Sequence, residues 1–410
     1  MRIRRREFCG ILAGAAASAA LASEWTPSLA AAAQQRAEHW DPWIELDRAS
    51  LLWNVRQIQQ RVGGKPVMAV VKANGYGHGL VETSKALMAA GLEHFLVGKF
   101  EEARALRQAG IRGMILNFGP FRDADTEEVI RLGISQNIYD DRIELLSRAA
   151  SRARRPAHVH VKVDTGLGRF GVHHEKALEF LSGAASLPGL ALDGVFTTLT
   201  EDSDFDREQL GRFRALCEAA TARGLRIGLR HAASSAAICD FPAAYEQLDL
   251  VRPGILLYGL YPSARAETER KIEVKPVLSL KVRIAQAKTL AAGESLGYHR
   301  AYVAQQPERV ATLPVGYSDG YPRRLAPAPS GQASKGEVLI GGKRCPIVAI
   351  SANATIVRLG EAAASAGDVA VLLGAQGSDA ITAAEVGRYT ESSVYAVAME
   401  LSPLLPRVSV

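Results

Sequence analysis

Lys72, in the run VMAVVKANGYGHG, ends a strand-like apolar stretch at 67–71 and opens onto a glycine-rich turn. A lysine placed there keeps its stem in apolar surroundings, where desolvation lowers the ammonium pKa and leaves a nucleophilic amine. Such an amine can condense with an aldehyde. A solitary strand-end lysine more often carries its charge out to solvent, so the residue type alone leaves both readings open. Four further groups able to hold anions or move protons fall at or just after other strand-like ends: Lys162, Arg169, His231 and Arg252.

Those ends belong to a repeated alternation. Strand-like runs at 67–71, 94–97, 114–118, 134–138, 158–163, 190–197, 225–230 and 248–251 are separated by helical patterns such as 100–109, 142–153 and 206–223. Eight alternations predict an α/β fold with a parallel (β/α)8 TIM-like barrel. In such a barrel the C-terminal ends of the strands carry the chemistry. After residue 266 the pattern changes. Runs at 277–287, 309–315, 336–340, 345–350 and 369–373 read as strands between Gly/Pro/Ser turns with no alternating helices, which predicts a separate C-terminal β-rich domain. Residues 43–46 are expected to pair into it, and 331–335 and 374–378 read as loops. The predicted organisation is a leader over 1–33, a barrel over 43–266 and a β domain over 267–410.

The leader is a signal peptide in type. Arg2, Arg4, Arg5 and Arg6 precede an Ala/Gly-rich apolar run, and small-residue cleavage sites follow at Ala20-Leu21-Ala22 and Ala31-Ala32-Ala33. Arg5-Arg6-Glu7-Phe8 fits the core of a twin-arginine signal, although an arginine-rich general-secretion signal would look similar. A periplasmic destination is expected, and the twin-arginine route would export the chain already folded. Removing the leader takes the net charge from +6 to +4. That scattered excess suits anionic small molecules. It forms no basic face with interleaved aromatics, so nucleic acid is not an expected partner. No internal run is apolar for the length of a bilayer, so no membrane association is expected once the leader is gone. Cys9 leaves with the leader. Cys217, Cys239 and Cys345 remain, an odd number without metal spacing, so neither a disulfide framework nor a metal site is expected. His173-His174 reads as a solvated pair at a helix start.

The string VVKANGYGHG closely resembles the cofactor-lysine motif of the alanine racemase family, fold-type III enzymes dependent on pyridoxal 5'-phosphate (PLP). HVKVDTGLGRFG, RHAASSAAI, VRPGILLYGLYPS and PVGYSDGYPRRL resemble that family too, and the likeness runs over 43–406. The resemblance implies PLP as cofactor and racemisation of an amino acid. It makes Lys72 the aldehyde anchor and the acid–base group on one face of the substrate Cα. On the opposite face the family uses a tyrosine from a partner subunit, here Tyr298 in GESLGYHRAY, so a homodimer is implied. A tyrosine ordinarily titrates near pKa ~10 and needs a cationic neighbourhood to act as a base.

By the same resemblance Arg252 partners the ring nitrogen. A guanidinium does not readily yield a proton, so the nitrogen stays largely unprotonated and the weaker electron sink favours racemisation over transamination. Tyr76, Ser235, the Gly254–Ile255 backbone and Tyr395 match the phosphate cradle, with a helix start at Ser234/Ser235 adding N–H donors. Arg169 matches an arginine that contacts the cofactor's ring oxygen and lies by the substrate. Lys162 matches a lysine that is often carbamylated, a Lys162–Asp164 pair being the plainer alternative. Tyr317 matches a residue that shapes the substrate entrance and grips the carboxylate, while Ala352 and Asn353 match pocket positions.

Two positions depart from the family. Thr198 stands in GVFTTLTED where a histidine is usual, and Ser351-Ala352-Asn353 stands where Cys/Ser-Met-Asp is usual. Alanine for methionine widens the substrate pocket, and exported broad-specificity members carry a similar S-M-N run. The expected substrates are therefore alanine plus larger residues such as lysine, arginine or serine. Retro-aldol or decarboxylating PLP barrels, and a catalytically weak periplasmic PLP- or amino-acid-binding protein, are the competing readings. Arg252 and the pairing of Lys72 with Tyr298 weigh against them.

Overall fold

The computed structural model describes residues 42–327 and 335–410, so the leader expected over 1–33 lies outside the described residues, as does most of the loop expected over 331–335. The first described strand is β1 (Trp43–Leu46), followed by the helix Arg48–Arg61, whose first turn is capped by Asp47 accepting from the Ser50 N–H at 3.0 Å. The parallel strands come next: β2 (Met68–Val70), β3 (His94–Val97), β4 (Met114–Asn117), β5 (Ser135–Ile138), β6 (Ala157–Asp164), β8 (Leu190–Phe196) and β9 (Leu229–His231), with a short β7 (Val172–His173) beside β6. They pair in the order β2-β3-β4-β5-β6-β8-β9, each connected through a helix.

The eighth stave is the segment 249–253. Its backbone bonds β9 on one side (Asp249 N to Arg230 O, 2.9 Å) and β2 on the other (Met68 N to Val251 O, 2.8 Å; Val70 N to Pro253 O, 2.9 Å). The sheet is thereby closed and no edge is exposed. The strand expected at 225–230 forms only from Leu229, because Gly228 adopts a left-handed conformation (φ +63°), where an added Cβ would stand 2.1 Å from Asp193 O.

β2, β3 and β4 are nearly continuous apolar runs, as befits strands covered on both faces. β6 instead alternates Val159, Val161 and Val163 with His158, His160, Lys162 and Asp164. A period of two places these sets on opposite faces. The valines pack into the main core, while His160 and Lys162, equally buried, lie inside the barrel. His173 belongs to β7, and the helix begins only at Ala177, so the pair His173-His174 precedes the helix start rather than forming it.

The C-terminal strands form a second sheet with its own core. β10 (Leu278–Arg283) and β11 (Gln286–Leu290) divide the run expected at 277–287, since β10 pairs with β18 (Val369–Gln376) and β11 with β14 (Glu308–Leu313). β1 pairs antiparallel with β10 and parallel with β20 (Arg407–Ser409), so residues 43–46, counted within the barrel span 43–266, belong to the C-terminal sheet. The residues expected as a loop at 374–378 complete a hairpin from β18 to β19 (Asp379–Ile381), and two helices, Ala383–Thr390 and Val394–Met399, follow where none was expected. No helix of the described residues is long and apolar enough to cross a membrane.

Candidate active site

Lys72 begins the short turn Lys72–Tyr76 at the C-terminal end of β2. It is half-buried, and burial lowers its pKa, with Arg169 acting in the same direction and Glu102 against it. The chain then runs through four consecutive left-handed residues: Ala73, Asn74, Gly75 and Tyr76, with φ of 54, 55, 60 and 53°. Such a conformation costs roughly 1–2 kcal/mol for each residue bearing a Cβ, so local preference does not produce it. Tertiary bonds hold it instead. Glu102 accepts from the N–H groups of Gly98 (2.9 Å) and Asn74 (3.2 Å), and the Asn74 side chain accepts from Leu80 N at 2.9 Å.

This loop turns Tyr76 inward, so that its hydroxyl lies over Gly254. A Cβ on Gly254 would stand 2.5 Å from that oxygen. Burial pushes the Tyr76 phenol up to about 12, which keeps it a neutral donor. Tyr395 tilts against it at 6.2 Å between ring centroids. Ser235 opens the helix Ser235–Asp240, with Ser234 as its N-cap residue. The Ser235 hydroxyl oxygen accepts from Gly254 N at 2.9 Å and Leu256 N at 3.4 Å, and buried Ile255 starts the next tight turn. The Tyr76 hydroxyl, the Ser235 hydroxyl and the main-chain turn at Gly254–Ile255 therefore gather where Gly254 leaves room, with the Tyr395 ring alongside, a polar set suited to a phosphate.

Arg252 lies 6% exposed inside the barrel. Its donors meet His231 Nδ1 at 2.6 Å, Thr197 O at 2.7 Å and Ala232 O at 3.0 Å, and its guanidinium sits 5.4 Å from the Phe196 ring centroid. Burial pulls its pKa down to about 9. Lys162 is more enclosed still, at 1% exposure, with no hydrogen-bond partner on Nζ. The Lys162–Asp164 pair does not form, since Asp164 accepts from the N–H groups of Gly166 and Gly168 instead. Burial first, then Arg169 and Arg252, bring the Lys162 amine down to about 7. Lys162 and the exposed Arg169 both lie over the Phe118 ring, 4.4 and 5.7 Å from its centroid.

The remaining expected site residues gather elsewhere. Tyr317, Ala352 and Asn353 meet in the β domain, where Tyr317 N donates to Ser351 O (3.2 Å), Ser318 Oγ to Ala352 O (2.7 Å) and the Asn353 amide to Ser318 Oγ (2.9 Å). Tyr298, beyond the small strand β12 (Ser295–Leu296), is 81% exposed and Tyr317 50%. Within the described subunit neither makes a hydrogen bond to Lys72 or to the Ser235–Gly254 cradle. Thr198 keeps a buried hydroxyl without a hydrogen-bond partner. Glu102, Phe118 and Phe196 went unrecognised in the sequence, as did the grip of His231 on Arg252. Only Glu102 had a local signal, as a carboxylate in the first turn of the helix Phe100–Gln108.

The donors around Gly254, the amine of Lys72 and the inward guanidinium of Arg252 fit the phosphate, aldehyde and ring nitrogen of PLP. Known proteins agree. Models of the alanine racemase N-terminal and C-terminal domains match residues 46–262 and 277–409. An alanine racemase of Carboxydothermus hydrogenoformans is 35% identical over 375 residues, covering 90% of this chain and 99% of that protein. The solved structure of alanine racemase from D-cycloserine-producing Streptomyces lavendulae superposes with a TM-score of 0.83 at 31% identity, over 90% of this chain and 97% of that one. That of alanine racemase from Bacillus anthracis, with bound L-Ala-P, superposes at 0.81 with 29% identity, over 91% and 95%. Gly254→Ala should weaken PLP binding by about tenfold or more, because the added methyl occupies the space beneath the Tyr76 hydroxyl. Titration of the cofactor-free protein, followed by PLP absorbance, measures this, and unchanged affinity would remove Gly254 from the cradle.

Proposed function

Because the chain belongs to the alanine racemase family, and is a PLP-dependent amino-acid racemase, we propose that Lys72 and Tyr298 are its two acid–base groups and that it acts on alanine and on larger amino acids. The bound cofactor supplies an aldehyde and an electron-withdrawing ring that acidify the substrate Cα–H. Arg252 holds the ring nitrogen through a donor-only group, and the cradle of Tyr76, Ser235, Gly254, Ile255 and Tyr395 fixes the phosphate end. Lys72, with its lowered pKa, accepts or returns the Cα proton on one face. On the other face the partner subunit's Tyr298 gives or takes a proton. The substrate's atoms are conserved, and solvent exchange resets the two groups.

The observation carrying this reading is the split between a donor-lined barrel end that has its lysine and a β domain whose Tyr298 and Tyr317 lie open. A homodimer in which each β domain closes the partner's barrel joins the two halves. For the substrate, Ala352 presents a methyl and a carbonyl already engaged by Ser318, which leaves room for side chains such as those of lysine, arginine or serine. Relatives named alanine racemases support alanine itself. Lys162 is the candidate for carbamylation. Its amine would add to carbon dioxide and lose a proton, replacing a buried cation with an anion facing Arg169 and Phe118.

Tyr298→Phe alone should lose about 10²–10⁴-fold in kcat while keeping PLP absorbance. Subunits carrying Lys72→Ala should be equally inactive. Mixing and reassembling the two should restore D-alanine formation, since hybrid dimers contain one intact composite site. No recovery on mixing would refute a tyrosine acting across subunits. Each L-amino acid should next be offered separately and D-product resolved by chiral chromatography. Turnover of lysine, arginine or serine that falls about 10–200-fold relative to alanine in Ala352→Met would support the widened pocket. Turnover of alanine alone would end it. Carbamylation needs the neutral amine, so isotope-labelled bicarbonate should give a Lys162 carbamate NMR signal that grows as pH rises through about 7 and fades below it. A Lys162→Ala protein with an identical signal would exclude that assignment.

A further inference from the structure

Beneath the cofactor end of the barrel lies a group of polar side chains that the proposed reaction does not use. Asp193 of β8 accepts from Ser135 Oγ at 2.8 Å and from the partly exposed His158 Nδ1 at 3.0 Å. Ser135 Oγ also meets His160 Nδ1 at 2.8 Å. Further inward the rings of His160 and His231 stand edge to face, 5.3 Å between centroids. Both histidines are fully buried, and the Nε2 atom of each has no hydrogen-bond partner. Gly194 makes the space, since a Cβ there would stand 2.6 Å from His160 Nε2.

The donors determine the tautomers. An ionised carboxylate only accepts, so the Ser135 hydroxyl spends its proton on Asp193 and its oxygen must accept from His160. His160 therefore carries its proton on Nδ1 and a lone pair on Nε2. At the other end a guanidinium only donates, so His231 Nδ1 accepts from Arg252 and its proton lies on Nε2. Burial holds both imidazoles neutral, His160 down to about 4 and His231 well below its ordinary value. One ring thus offers a donor and its neighbour an acceptor, with both atoms sealed from solvent, where an unmade hydrogen bond is costly.

We infer that Asp193, Ser135 and His160 are positioning residues: with His231 they form one oriented hydrogen-bond chain, closed through a single water between the two Nε2 atoms, that ends on Arg252. Each member fixes the proton of the next. A His231 Nε2–H that is itself accepted makes Nδ1 the stronger acceptor, since bonds in a chain polarise one another. Arg252 is then held in a single orientation toward the ring nitrogen by a chain rooted in a carboxylate on the far side of the barrel. The link to the ring nitrogen rests on the racemase reading, whereas the tautomers are a property of the protein without cofactor.

The test begins with imidazole nitrogen chemical shifts of the cofactor-free protein. The expected result is His160 protonated on Nδ1 and His231 on Nε2. In Ser135→Ala, His160 should populate both tautomers and the His231 shifts should move, while Ser135→Thr, which keeps the hydroxyl, should restore both. In the PLP-loaded enzyme Ser135→Ala should lower kcat about tenfold with KM little changed, the effect of about one hydrogen bond's stabilisation, and should shift the cofactor's absorption maximum. Should Ser135→Ala fail to fold, Asp193→Asn removes the root charge from the same chain and should move the same shifts. Wild-type His160 protonated on Nε2, or His231 shifts unmoved by both variants, would overturn the chain whatever the activity. Correct shifts with unchanged kcat and absorbance would overturn only its bearing on the racemase.

Discussion

Lys72, Lys162, Arg169 and Arg252 converge on one end of a barrel, and none of them forms an ion pair among the described residues. Buried cations are expensive unless each is paired or its charge is lost. The protein answers differently at each position. Arg252 is held by a neutral histidine and two carbonyls, Lys162 sits against the Phe118 ring with its pKa near 7, and Lys72 is lowered by burial. A site so arranged is an electrostatic demand for anions, which a cofactor phosphate, a substrate carboxylate and a lysine carbamate would supply.

That concentration of charge needs a scaffold able to resist it. The barrel closes through the segment 249–253, which also brings Arg252 inward and sets Gly254 beneath Tyr76. The second domain braces the other side. Arg407 of β20 donates to Gly77 O at 3.1 and 2.9 Å, and Gly77 packs so closely against Ala398 O that no side chain would fit. The left-handed loop after Lys72 is thereby clamped between Glu102 of the barrel and the C-terminal domain, with strain in the loop offset by contacts far along the chain. Asn54 of the helix Arg48–Arg61 bonds the backbone of Leu257 and Lys275, fixing the chain where it leaves the barrel.

The chain crosses between its domains more than once. β1 belongs to the C-terminal sheet although it precedes the barrel, so the β domain forms only when both ends of the described chain have come together. The lysine loop is thus completed by residues more than three hundred positions away. Long-range closure of this kind makes the active site and the domain junction one mechanical unit, which accounts for the dense bonding of Gly77 and Arg407.

Much was legible in the sequence because it is local. A run of apolar residues ending in lysine and strand–helix alternation leave a mark within a few residues, and they placed Lys72 and Arg252 at strand ends and seven of the eight barrel strands close to where they fold, whereas Ser235 and Gly254 were singled out by the family resemblance. What sequence could not supply was partnership across the barrel. That Arg252 meets His231, that Ser135 meets His160 and Asp193, and that Lys162 faces Phe118 rather than Asp164 depend on strands distant in sequence being brought side by side. Hydrogen bonds and ion pairs act over a few ångströms of space, not along the chain, so only the tertiary structure decided which charges are held and by what.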